Sequence, residues 1–146
     1  MTAGDTCKEN FEIEEVTVKE NEDIEQGEML VNDGNGFLAA TAALAALSTP
    51  VVAIDSHDYS EESTHKIRVG VKGVFEVQKK SGSAIYKNNK LTISSTAGEV
   101  QVFAMADVTA TVNESTVEAA LLANQAAFGE CYEDAADTDT TVKIRL

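Results

Sequence analysis

The residue types of a hydrolytic centre lie together in one short stretch, where His57 stands between Asp55 and Asp58 with Ser56 and Ser60 beside them. A nucleophile, a base and an orienting carboxylate are all present, and in such a triad the imidazole takes the serine proton. A triad is assembled by geometry, however, and a run of polar residues is also what a solvated loop contains. The expectation is therefore a surface loop, with His65 a second surface histidine at the start of the strand that follows. Carboxylate pairs occur at Glu14-Glu15, Glu61-Glu62 and Glu133-Asp134. Adjacent residues on a strand point to opposite faces, so neither member of a pair can serve the same scissile bond as the other.

Asp33-Gly34-Asn35-Gly36 and Asp137-Thr138-Asp139 offer oxygen ligands but lack the spacing of a calcium loop and its closing glutamate, and turn chemistry explains both. No phosphate-binding glycine loop is present. Cys7 and Cys131 are far apart and belong to no metal-binding or redox pair, so both are expected as free thiols. Sugar binding usually needs exposed aromatic platforms; the chain has no Trp and three Tyr, and Phe75 and Phe103 fall at core positions. These residues predict a protein that is not an enzyme and carries no cofactor and no metal.

The elements that would position any site are mostly strands. With 146 residues and 15.5 kDa there is room for one domain, whose core removes about 68–70% of the unfolded chain's surface. The longest apolar run, Phe37 to Leu47, is far short of the roughly 20 residues of a membrane helix. The first residues lack an apolar signal core, which predicts folding in a cytoplasm. Residues 1–13 read as an N-terminal arm and 14–146 as the body. Phe11 and Ile13 are apolar at odd positions and Val16 and Val18 at even ones, so a bulge or break is expected near Glu14.

Met29 to Leu38, turning at Asn32 to Gly36, has hairpin chemistry. Thr41 to Ser48 predicts a helix of at most two turns, stopped by Pro50, and Val51 to Ile54 a buried strand. Ile67, Val69, Val71, Phe75 and Val77 alternate with Lys66, Arg68 and Lys72, which predicts one core face and one cationic face, bent at Gly70 and Gly73. Further along, Ile85-Tyr86 and Leu91 to Ile93 read as a second hairpin, Val100 to Ala106 as a central strand, and Val108 to Val112 as an alternating one. Ser115 to Glu118 has capping-box form and opens a helix to about Asn124 with Val117, Leu121 and Leu122 on one side. Phe128 to Glu133 and Val142 to Leu146 complete the strands. The fold class is all-β: a small barrel or sandwich of short strands with one or two helical insertions.

Gly27 to Asn32 resembles Gly82 to Lys87, and each is followed by a buried strand, Val51 to Ile54 and Val102 to Met105. Two packed units are one reading, chance recurrence without a fixed period the other. Charge is more informative. The net charge of −14 excludes nucleic acid as a partner, yet Lys66 to Lys90 carries seven basic residues and one acidic, while no Lys or Arg lies between Leu91 and Val142. Such a polarised molecule can present a cationic face to an acidic partner; the alternative is a solvated strand face whose lysines discourage edge pairing.

The ending Phe128-Gly129-Glu130-Cys131-Tyr132-Glu133-Asp134-Ala135-Ala136-Asp137, closed by Thr140 to Leu146, resembles that of the head decoration, or capsid cement, proteins of tailed viruses of bacteria and archaea. Gly27 to Leu38 is similar to the early hairpin of that family, and Arg68 to Val77 to its glycine-bearing strand. The resemblance implies a non-enzymatic protein on the virion exterior that binds the major capsid protein of the expanded head, commonly as a homotrimer, with no membrane and no nucleic acid involved. The capsid-binding candidates are Phe11 and Ile13, from an arm that adds to a sheet edge of the shell, and Lys66, Arg68 and Lys72 from the basic face. A tail or fibre subunit, and a small ligand- or glycan-binding barrel, are the alternatives.

Overall fold

A computed structural model describes residues 11–108 and 111–146; the expected arm up to residue 10 lies outside the described residues. Ten strands and two helices are formed within them: β1 Glu12–Thr17, β2 Met29–Asn32, β3 Phe37–Ala39, α1 Ala42–Ala45, β4 Val51–Ala53, β5 Lys66–Lys72, β6 Val74–Gln78, β7 Lys90–Ile93, β8 Val100–Val102, α2 Glu114–Asn124, β9 Phe128–Cys131 and β10 Thr141–Arg145. The fold is mainly β. Two five-stranded antiparallel sheets have the orders β1-β5-β4-β2-β3 and β6-β10-β9-β7-β8. No helix among the described residues is long and apolar enough to cross a membrane.

The two orders are the same order. Strands β1 to β5 correspond one by one to β6 to β10, and α1 to α2. The bridges outside the strands repeat too: Val18 with Phe37 matches Lys79 with Val100, and Ile24 with His57 matches Ile85 with Ala135. Positive φ angles recur at equivalent places, with glycine and asparagine exchanged: Asn21 (63°) for Gly82 (100°), and Gly27 (85°) for Asn88 (70°). These are the residues that enter the left-handed region at least cost. The chain is therefore a structural duplication, with Gly73 (φ 127°) as the joint where the alternating run turns from one sheet into the other.

The equivalence differs from the echo expected from sequence. Gly27 corresponds to Asn88, not Gly82, and β4 to β9, not to Val102–Met105. The second hairpin is also re-paired: Asn88 and Asn89 do turn, but Ile85 bridges Ala135 and β7 pairs with β8 and β9. β8 is an edge strand of three residues, so Val100–Ala106 is not central and Phe103 is only half-buried. Residues 108, 111 and 112 are not in a strand. The irregularity in β1 falls between Glu12 and Ile13, and both are paired with β5, so the paired body starts ahead of residue 14.

The helices follow their sequence signals in part. Thr41 caps α1 through Leu44 N–H. The capping box of α2 is Asn113 with Thr116, two residues before the Ser115–Glu118 pattern, because Asn113 Oδ1 reaches Thr116 N–H at 3.0 Å while Thr116 Oγ1 takes Asn113 N–H at 3.0 Å. Among the described residues none in α2 is buried, and Leu121 is 57% exposed.

The core explains why alternation fades in the first sheet. Leu30, Val51, Ala53, Ile67 and Val69 pack with Val18 and Ile24 on one face. Met29, Val31 and Val52 point the other way and pack with Val77, Ile85, Leu91, Val142 and Ile144 of the second repeat. Both faces are thus buried, and β2 and β4 read as continuous apolar runs. Gly70 lies at the contact between the repeats: a Cβ there would stand 2.4 Å from the Phe75 ring. Gly70→Ala is expected to lower stability by about 1–3 kcal/mol through overpacking. Urea unfolding followed by circular dichroism would register this as a lower midpoint at unchanged slope.

Candidate functional site

The loop between β4 and β5 does not assemble a hydrolytic centre. Asp55 turns to Arg68, accepting from Nε at 3.0 Å, from NH2 at 2.8 Å and from the Arg68 backbone N–H at 3.0 Å. That fork holds the Asp55 carboxyl below its ordinary range. Ser60 donates to Asp58 at 2.8 Å, an ordinary turn contact. His57 faces inward, 3% exposed, because its backbone is bridged to Ile24.

His57 meets His65 instead of a serine, with Nε2 and Nδ1 3.0 Å apart; His57 is buried where a surface residue was expected, and His65 is half-buried. Such a pair needs one N–H and one lone pair between the two rings. Tyr59 stacks on His65 at 3.8 Å. The Glu62 carboxylate lies 2.6 Å from His57 Nδ1, yet that nitrogen has no hydrogen-bond partner of suitable geometry. The arrangement locks the loop onto β5 and presents no nucleophile.

The oxygen-rich turns are satisfied internally. Asp33 Oδ1 accepts Asn35 N–H at 2.9 Å and its other oxygen binds Lys19, which holds the Asp33 carboxyl low. Asp139 Oδ2 accepts Ala136 N–H at 2.8 Å. Among the described residues no group of three or more His, Cys, Asp or Glu is placed to hold a metal ion.

The contact candidates divide into two sets. Phe11 and Ile13 are 51% and 50% exposed and line a groove of about 570 Å³ together with Val52, Ile54, Phe75 and Gln78. Phe11 leans on Phe75, ring centres 5.6 Å apart. Lys66, Arg68 and Lys72 are exposed, but their surroundings are acidic: Lys66 lies 3.9 Å from Glu15, Arg68 is forked on Asp55, and Lys72 is registered opposite Glu12. The cationic face is locally compensated because β1, rich in glutamate, pairs alongside it. Only the apolar set offers unspent contact area.

Three features escaped the sequence reading. Lys79 is 2% exposed in the place where the first repeat has Val18; its ammonium donates to the carbonyls of Lys80 and Asp139 at 2.9 and 3.2 Å. Glu28 is buried against Gly98 and accepts Glu25 N–H at 2.7 Å. The groove itself needs residues from both repeats, which no local pattern joins.

Burial pushes the Glu28 carboxyl above its ordinary range, although the Glu25 N–H opposes this. A carboxyl raised in the folded state adds stability below its unfolded pKa, and that contribution is lost as pH rises through the folded one. Glu28→Gln is therefore expected to raise the melting temperature at neutral pH and to give no gain below pH about 4, which melts across a pH series would reveal. Burial also raises the Cys131 thiol, which donates to the Glu133 carbonyl at 3.0 Å. Cys131 is free and buried, so with Cys7, which lies outside the described residues, replaced by Ser, a thiol reagent is expected to label the chain only after denaturation. Compared with known proteins, the chain matches no family model and no curated protein.

Proposed function

We propose that this protein decorates the outer surface of an expanded tailed-virus head and stabilises it by contact, without catalysis. The observation that carries the reading is the pair Phe11 and Ile13, half-exposed apolar side chains just ahead of and on the edge strand β1, beside an apolar groove. An edge strand offers backbone groups for pairing, and natural proteins usually protect such an edge unless a partner covers it. The resemblance of the C-terminal run and of Arg68 to Val77 to capsid cement proteins supports the same reading. So does the loop chemistry, in which Asp55 is forked on Arg68, His57 meets His65 and Ser60 donates to Asp58.

The thermodynamics need no reaction. A protein that binds only the expanded lattice stabilises it by about 2.7 kcal/mol per site when free at about one hundred times its Kd, and a shell repeats the site many times. A specific contact buries on the order of 1,000 Å², so Phe11 and Ile13 would be anchors within a larger patch and the major capsid protein the partner. The groove also favours a second reading, a small apolar ligand held between the repeats, which a ligand-induced rise in melting temperature would reveal.

Attachment to expanded empty heads of the virus that encodes the chain tests the first reading. Phe11→Ser and Ile13→Ser are each expected to weaken it by about tenfold, since each forfeits roughly half the worth of a buried large apolar side chain. Unchanged attachment by both folded variants would refute the anchor role.

A further inference from the structure

The two repeats are used unequally. In the first, the face carrying Met29, Val31, Val52 and Gly70 is covered by the second repeat. β6 is held there by Gln78 N–H donating to the Gly27 carbonyl at 2.9 Å, by Gln78 Nε2 donating to the Gln26 carbonyl at 3.3 Å, and by the Phe75 ring seated on Gly70. Ladder equivalence puts Asn88 in the place of Gly27, Lys87 in that of Gln26, Glu130 in that of Val52 and Arg145 in that of Gly70. These four are exposed or half-buried, and among the described residues the Asn88 carbonyl accepts no backbone hydrogen bond. Tyr132, equivalent to Ile54, joins them, with Arg145 5.2 Å and Lys87 5.7 Å from its ring centre.

The strand equivalent to β6 is β1, which is exposed at every position except Val16. Its register places Glu14 where the second repeat has Phe75, and Thr17 where it has Gln78. Val18 N–H points to β5, donating to the His65 carbonyl at 2.8 Å, so the Thr17 N–H points outward, as that of Gln78 does. Where the internal contact sets an aromatic ring on a glycine, the equivalent pair is an exposed carboxylate and a guanidinium. Arg145 uses NH1 on Glu130 at 2.8 Å, which leaves the other edge of its fork for a second carboxylate.

We propose that β1 of one molecule seats on the second repeat of another copy, Thr17 N–H on the Asn88 carbonyl and Glu14 on Arg145. The contact between repeats inside one chain is thereby repeated head to tail between chains. Glu14 meets Arg145, with the exposed Lys87 and Lys90 on the same side of the second repeat, so the two surfaces are complementary in charge. The contact is heterologous and closes as a ring or continues as a filament. It goes beyond the reading above, which rests on Phe11 and Ile13, and leaves both of them outside the contact.

Sedimentation of the pure full chain, with no shell present, tests this separately from attachment to heads. Association that grows with protein concentration and falls with added salt is expected. Glu14→Arg and Arg145→Glu should each weaken it by about tenfold, and combining them should recover most of the loss. Lys87→Glu gives a second reversal on an exposed side chain should Arg145→Glu lower the melting temperature. With Cys7→Ser, the pair Thr17→Cys and Asn88→Cys should oxidise into an inter-chain ladder on a non-reducing gel. A chain that stays monomeric at every concentration, charge reversals without effect, or a disulfide closed within one chain would each overturn the proposal. The first would make the polar face of the second repeat a solvent cap, and the last would put β1 on its own second repeat.

Discussion

Burial of the second face of the first sheet beneath the second repeat is the interaction on which the rest of the molecule depends. Met29, Val31 and Val52 are almost fully removed from water, and each large side chain so buried contributes about 1.5–3 kcal/mol. A repeat alone would leave that face wet. The glycines at 70 and 73 make the contact possible, the first by admitting the Phe75 ring and the second by allowing the chain to turn between sheets with positive φ.

Duplication then explains the substitutions that break the apolar pattern. The buried face of the first repeat carries Val52 and Gly70, whereas the matching face of the second carries Glu130 and Arg145, which meet water. Val18 gives way to Lys79, tolerable only because two backbone carbonyls receive its ammonium. Asp55 with Arg68 and Glu133 with Lys143 are the same ion pair at the same ladder position, kept in kind but looser in the second repeat, at 2.8 and 3.4 Å. Exposed pairs of this sort contribute little stability, and their recurrence marks shared geometry.

Much of the element list was legible locally. The turn residues at 32–36, Pro50 after α1, and the alternation of Ile67 and Val69 each act over a few residues, so pattern reasoning reaches them. The fates of His57 and Arg68 were not legible, because Ile24, His65 and Asp55 meet them across a strand pairing. Nor was the exposure of Val117, Leu121 and Leu122: a periodic apolar helix looks the same whether or not another element covers it.

By itself, then, the amino-acid order determined a mainly-β chain, the places where it turns, the absence of phosphate-loop spacing, and a basic segment at 66–90 within an otherwise acidic chain. These rest on backbone propensity, period-two patterning and composition, all short-range. Tertiary structure alone decided that the chain is two copies of one strand order, that the histidines touch, that the basic face is met by glutamates, and that β1 stays uncovered. Those outcomes depend on which strands pair, and pairing brings together residues whose separation in sequence varies from loop to loop, so no fixed spacing records it.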